Sequence, residues 1–213
     1  MTRTLLCFGD SNTHGTMPMP TLDALGRFDR DTRWTGQLQK LLPDWHVIEE
    51  GQPGRTTLHD DPVEGPHRNG LTVLPAILES HREIDAVILM LGTNDLKGRF
   101  SVNATDIALA LEKLVVTIRA SLAGPKLTAP QVLLVAPPPI LEVDPLGEIF
   151  WGGAVKSQNL GARIAVSAKR VGAPFLDAGQ LIKVSHVDGI HYDAAEQGVL
   201  ARAFAEAVRT HFA

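Results

Sequence analysis

The chain has 213 residues, 44% of them hydrophobic and 21% charged, with a formal net charge of −4. That length fills one core but hardly two, so residues 1–213 read as a single domain, and the ordinary balance of apolar and charged residues excludes a disordered chain or a coiled coil. The mild acidity advertises no nucleic-acid partner, and the single cysteine, Cys7, excludes an intrachain disulfide and a Cys-rich zinc site.

Short apolar runs alternate with longer amphipathic segments from the start of the chain. The first run, residues 4–8, reads as a strand, and Cys7 inside it reads as a buried packing thiol. It is too short, and too soon followed by Gly9 and Asp10, to be a signal peptide. A helix over 34–42 and a strand over 46–49 follow, then a helix over 71–81 and the strand 86–91. This last is the densest apolar stretch, and it falls far short of the roughly 20 residues that span a bilayer. The expectation is a cytoplasmic protein with no membrane partner. Next comes the clearest helix, 104–122, in which Ile107, Leu111, Leu114, Val115 and Ile118 recur at helical spacing. A strand at 132–136, a helix over 154–171, a strand at 174–176 and a helix over 194–211 complete the chain. The alternation predicts an α/β fold, a three-layer α/β/α sandwich on a five-stranded parallel sheet, for which the flavodoxin-like order 2-1-3-4-5 is the expectation adopted. Three long loops, 13–31, 56–69 and 137–153, are candidates for a substrate rim or for subunit contacts.

Four polar turns stand out, each ordinary alone. Gly9-Asp10-Ser11-Asn12 follows the first strand directly, where a glycine lets the chain swing at a strand's carboxyl end. Gly51-Gln52-Pro53-Gly54 follows the second strand, and Gly54 can present its backbone N–H with no side chain in the way. Gly92-Thr93-Asn94-Asp95 follows the third, and Asn94 offers an amide N–H to a developing oxyanion. Asp188-Gly189-Ile190-His191 precedes the last helix. There an imidazole can take a serine proton while a carboxylate fixes its tautomer. In a 2-1-3-4-5 sheet these loops share one edge, so nucleophile, oxyanion donors, orienter and base converge on one crevice.

The four turns, in register from residue 8 to residue 191, resemble the blocks of the SGNH (GDSL) hydrolases. The four residues that name that family stand here as Ser11, Gly54, Asn94 and His191. Further segments, Arg33-Trp34-Thr35-Gly36, Arg55-Thr56-Thr57 and Met90-Leu91-Gly92-Thr93-Asn94-Asp95, resemble its bacterial arylesterase/acyltransferase (perhydrolase-like) branch. The resemblance implies a serine esterase acting on short-chain acyl and aryl esters through an acyl-enzyme. It further implies acyl transfer to alcohols or peroxide, no cofactor and no metal. Ser11, His191 and Asp188 would be nucleophile, base and orienter. Ser11, Gly54 and Asn94 would form the oxyanion hole, and His14, Pro53, Thr93, Phe150 and Ile190 would meet substrate. Some members are homo-octamers, so a homo-oligomer is expected. The chain departs from relatives in carrying His14 and Thr16 where tryptophans can stand, and Pro53 in place of a small polar residue.

Two other readings compete. One is a metal-dependent phosphoesterase using Asp10, Asn94 and His191, which the thin carboxylate supply disfavours. The other is a flavodoxin-like binding module with a decayed site, which the intact set of polar residues disfavours. Of the remaining histidines, His186 is a candidate partner of the base, while His46, His59, His67, His81 and His211 read as surface residues. Arg55, Asp60, Asp61 and Arg68 suggest an ion-pair network. Met17 with Ile149, Phe150 and Trp151 suggests an apolar mouth, the last three serving otherwise as a core plug or oligomer contact.

Overall fold

The computed structural model describes residues 2–212. Five strands, β1 (Arg3–Gly9), β2 (Trp45–Gly51), β3 (Ala86–Met90), β4 (Gln131–Ala136) and β5 (Phe175–Asp177), make one parallel sheet in the order β2-β1-β3-β4-β5. This is the expected flavodoxin-like order 2-1-3-4-5. β2 runs further than its apolar residues suggest, because the backbones of Glu50 and Gly51 stay in register with Phe8 and Gly9.

Alternate residues of the strands feed two cores, as the period of two requires. Leu6, Phe8, Val87, Leu89, Val132 and Leu134 face one side. There they meet α3 (Gly70–Ser80), α4 (Ala104–Ala120) and α6 (Leu160–Val171). Leu5, Cys7, Val47, Ile88, Met90 and Leu133 face the other, against α2 (Trp34–Leu41) and α7 (Ala194–His211). Cys7 is a buried free thiol, and burial pushes its pKa up. Both faces of β3 are covered, which is why its sequence is apolar throughout. The stripe on α4 is fully buried, and its start is fixed by a capping box between Asn103 and Asp106. Truncating such a residue, for example Leu111→Ala, costs about 2–5 kcal/mol.

The helix expected over 154–171 is in fact two, α5 (Gly153–Ser157) and α6, separated by Gln158 and Asn159. Ser157 Oγ donates to Ala154 O and accepts from the Ile140 N–H, a local competition with the helical ladder that amphipathic spacing does not reveal. A single turn, α1 (Ser11–His14), also went unpredicted, since four residues carry no periodicity. Among the described residues no helix is long and apolar enough to cross a membrane.

β1 lies between β2 and β3, so the chain leaves it first to one side and later to the other. Loops after β1 and β3 therefore part at the carboxyl edge of the sheet, and a crevice opens between them.

Candidate active site

The first wall of that crevice is the turn after β1. Gly9 is obligatory there: a Cβ would stand 2.0 Å from Thr13 Oγ1 and 2.8 Å from the Met90 carbonyl oxygen. Asp10 caps α1, accepting from the Asn12 N–H at 2.9 Å, and its carbonyl accepts from Thr13 and His14. Ser11 is thereby held at the first position of a helical turn. Asn12 reaches across to the Ile190 carbonyl, 3.2 Å, and receives Trp34 Nε1 on its own carbonyl at 3.0 Å. These bonds lock the Ser11 turn to the 188–191 loop and to α2.

His191 Nε2 lies 3.0 Å from Ser11 Oγ, and its Nδ1 lies 2.6 Å from Asp188 Oδ2. Asp188 Oδ1 accepts from the backbone N–H groups of Ile190 and His191 at 2.9 and 3.0 Å. Burial alone would raise the Asp188 pKa. The hydrogen bond and charge of His191, with those two N–H groups, outweigh it and hold the carboxyl below its usual range. A hydroxyl bonded to an imidazole that a carboxylate orients is the constellation of nucleophilic catalysis.

Asn94 opens the turn after β3. Its Nδ2 donates one hydrogen to the Arg55 carbonyl at 3.2 Å, leaving the second for a ligand. Beneath it Asp95 is buried and accepts the Thr57 backbone N–H, which braces the two loops together. Gly54 has φ +75°, and with Ser11 and Asn94 it lines a cavity of about 340 Å³. Among the described residues neither the Ser11 N–H nor the Gly54 N–H donates to a protein acceptor. Among the described residues the Ser11 and Gly54 N–H groups and one Asn94 amide hydrogen are thus without a protein acceptor, and all three residues line this cavity.

The cavity is apolar on one side, with Leu146, Ile149, Phe150 and Ile190. His14 and Pro53 line it too. His14 is half-buried, bonded through Nδ1 to Thr16 Oγ1 at 3.1 Å, and burial together with Arg27 and Arg33 lowers its pKa. Thr93, expected to meet substrate, does not line the cavity; it is buried, because the chain turns into a 3-10 helix from Asn94 onward. Met17 and Trp151 are not part of the mouth either. Met17 packs over Gly26 on an arm closed by the bridge between Thr16 and Arg27, and Trp151 points into solvent at 76% exposure. Met19, Leu22 and Leu25, further along that arm, supply the apolar surface instead.

The expected ion-pair network exists with a different membership. Arg55 is buried against the Phe8 ring, 4.2 Å from its centroid, and donates to the Gly9 carbonyl at 2.8 Å. Burial lowers it to about 10. Asp60 binds Asn69. The network proper joins Asp61 to Lys97 and Arg99, and Glu64 to Lys97 and Arg68. Lys97 and Glu64 line the cavity; no motif announced Glu64, whereas Lys97 stands two residues beyond the Asn94 block. Two histidines read as surface residues are partly buried. His81 bonds Glu50 at 2.9 Å, and His59 stacks on Phe100 with centroids 5.3 Å apart. His186 is exposed and stands apart from the base. The metal-ligand set Asp10, Asn94 and His191 does not assemble, since both His191 nitrogens are engaged by Ser11 and Asp188.

Comparison with known proteins agrees with this geometry. The GDSL-like Lipase/Acylhydrolase family matches residues 7–208. The aryl esterase of M. smegmatis is 42% identical with TM-score 0.92, the match covering 98% of this chain and 99% of that one. A carbohydrate acetylesterase from Sinorhizobium meliloti is 39% identical with TM-score 0.93, again over 98% and 99% of the two chains. A search of curated proteins gave no match. With the sheet order, the converging turns and these likenesses together, the chain belongs to the GDSL-like lipase/acylhydrolase family and is a carboxylic ester hydrolase.

Proposed function

We propose that Ser11 attacks the carbonyl carbon of a short-chain acyl or aryl ester, with His191 accepting the hydroxyl proton and Asp188 stabilising the imidazolium that forms. The observation that carries this is the unbroken run Ser11 Oγ, His191 Nε2, His191 Nδ1, Asp188 Oδ2, at 3.0 and 2.6 Å, opening onto the cavity. The tetrahedral oxyanion is received by the Ser11 and Gly54 N–H groups and by Asn94 Nδ2. His191 then gives its proton to the leaving alcohol oxygen, and an acyl-enzyme on Ser11 remains. Water, deprotonated by His191, releases the acid and restores the hydroxyl.

The small volume and the apolar wall of Leu146, Ile149 and Phe150 favour a short acyl group. The names of the relatives, an aryl esterase and a carbohydrate acetylesterase, point the same way. An alcohol held by Met19, Leu22 and Leu25 competes with water for the same acyl-enzyme, so partial acyl transfer accompanies hydrolysis. Each methylene it buries contributes about 0.8 kcal/mol. Exposed Leu25, Val63 and Trp151 are apolar surface of the kind that subunit contacts cover, which supports a homo-oligomer.

The test is labelling with a serine-directed fluorophosphonate mapped by mass spectrometry, alongside a chain-length series of p-nitrophenyl esters. Label on Ser11 and fastest turnover of acetate or propionate are expected; label on another serine overturns the assignment. Vinyl acetate with benzyl alcohol in buffer should give benzyl acetate as well as acetate, and acetate alone removes the transfer reading. Light scattering that shows a monomer at micromolar concentration removes the oligomer.

A further inference from the structure

Asp188 Oδ2 accepts two hydrogen bonds. One comes from His191 Nδ1; the other, at 2.7 Å, comes from the backbone N–H of Met19, 169 residues away in the chain. Met19 belongs to an arm that leaves the nucleophile turn and returns to it. Its base is closed by a bridge between Thr16 and Arg27 and by bonds from Met17 N to Gly26 O and from Phe28 N to Gly15 O. Arg27 anchors that base to the His14 carbonyl, 2.7 Å, and to Glu49 on β2. The arm's inner side is the apolar wall of the cavity formed by Met19, Leu22 and Leu25.

Sequence makes the bond specific. Pro18-Met19-Pro20 contains a single backbone N–H, because neither proline has one, and Pro20 keeps Met19 extended. A slip by one residue in either direction would leave Asp188 with no donor. Among the described residues the carboxylate's other three donors all come from its own loop, residues 188–191, and fix it only relative to that loop. Met19 is the donor that ties it to another part of the molecule.

We propose that Met19 is a positioning residue for the ester hydrolysis, acting through its backbone N–H. By sharing Asp188 Oδ2 with the His191 Nδ1–H, it holds the orienter in line with the base and couples the substrate-facing arm to the triad. The inference rests on Asp188 and His191 acting as orienter and base. With the Met19 donor gone, the negative charge on Oδ2 falls more fully on the imidazolium, and the arm loses its contact with the carboxylate.

The experiment compares three forms of the full chain: Met19→Ala, Met19→Pro, and an ester in place of the amide at residue 19, introduced as the α-hydroxy analogue of methionine. Ala keeps the N–H and loses the side chain, Pro loses both, and the ester loses only the N–H. With p-nitrophenyl acetate, Met19→Ala and Met19→Pro should both raise KM, since the side chain lines the cavity. Relative to Met19→Ala, Met19→Pro should lower kcat by about tenfold, the scale of one charge-assisted bond. The acid limb of its kcat/KM profile should move to higher pH, and the ester form should reproduce both changes. Asp10, His14, Glu64 and Lys97 also face the base or its cavity, but they are the same in every form and cancel in the comparison. Equal kcat and equal acid limbs in the Pro and Ala variants overturn the proposal. So does an ester form that behaves like the parent chain, and this form decides the matter if Met19→Pro does not fold. Fluorophosphonate labelling in the same preparations separates the two levels. Label on Ser11 with no Met19 effect removes only this inference, whereas label elsewhere removes the triad reading beneath it.

Discussion

Asp10 and Asp61 are both 2% exposed, one behind the nucleophile turn and the other beside Lys97 at the cavity wall. Their fates are opposite. Asp10 receives the Asn12 N–H and the more distant influence of His191 and Arg55, which does not offset burial, and its carboxyl is pushed up to about 6. Asp61 is desolvated as well, yet it accepts from the N–H groups of Val63 and Glu64 and faces Lys97 and Arg99. Those partners hold it down at about 2. Burial raises a carboxylate until enough donors and cations surround it; Asp10 is sunk more deeply than Asp61 and is also more sparsely partnered, and both differences act in the same direction. The turn after β1 gives the Asp10 carboxylate one N–H, from Asn12, because the Thr13 and His14 N–H groups go to the Asp10 backbone carbonyl instead. The charged wall spends its donors on holding the 56–69 loop in place.

Several substitutions would break or sharpen this contrast. The largest effect belongs to the turn side: Ser11→Ala or His191→Ala should lower kcat for p-nitrophenyl acetate by about 10⁴-fold or more, with the thermal transition retained. Loss of activity accompanied by loss of folding would show that these residues hold structure instead. Next, Asn94→Ala removes one of the proposed oxyanion donors and should cost about 2.7–4 kcal/mol of transition-state stabilisation, read in kcat. A change in KM alone would place Asn94 in ground-state binding.

On the wall side the expected readout is stability. Lys97→Met removes one of two cations from Asp61 and from Glu64 and should lower unfolding free energy by about 1–2 kcal/mol in urea titrations, less than a fully uncompensated buried charge would cost. Arg99 and Arg68 keep each carboxylate from being stranded entirely. A stability equal to the parent's would mean that the wall contributes no net energy.

The subtlest effect appears only as a pH slope. Between the usual aspartate value of 3.8 and about 6, the folded protein holds a proton on Asp10 that the unfolded chain has lost, so this group's stabilising contribution falls as pH rises through that window. The full span is worth about 2–3 kcal/mol. Asp10→Asn should flatten that part of the stability profile. Asp61→Asn should do the reverse: its carboxylate stabilises the fold above 3.8 and loses that contribution as pH falls towards 2, so the variant's deficit should shrink with acidification. A profile for Asp10→Asn that parallels the parent's would show that Asp10 titrates normally.

The backbone of this protein was legible from its residues. Five short apolar runs and their alternation with amphipathic stretches are local signals, so the strands and the parallel sheet could be anticipated; the sheet order and the Ser11, Asn94, Asp188 and His191 cluster followed from four polar turns standing in the register of a known family. Where reading failed, the deciding contact came from far along the chain. Ser157, at the break between α5 and α6, receives the Ile140 N–H, and Trp151 faces water while its neighbour Phe150 is buried. Arg55 leaves the ion pairs for the Phe8 ring.

Residue type and spacing thus determined the sheet, the two cores and which side chains could carry ester chemistry, because hydrophobic period and turn preference act over a few neighbouring residues. Only the tertiary structure decided the walls of the cavity, the protonation of Asp10 and Asp61, and the bond from Met19 to Asp188. Each of these depends on how many donors, charges and apolar groups converge from distant segments. That convergence is a property of packing, and no stretch of the chain contains it.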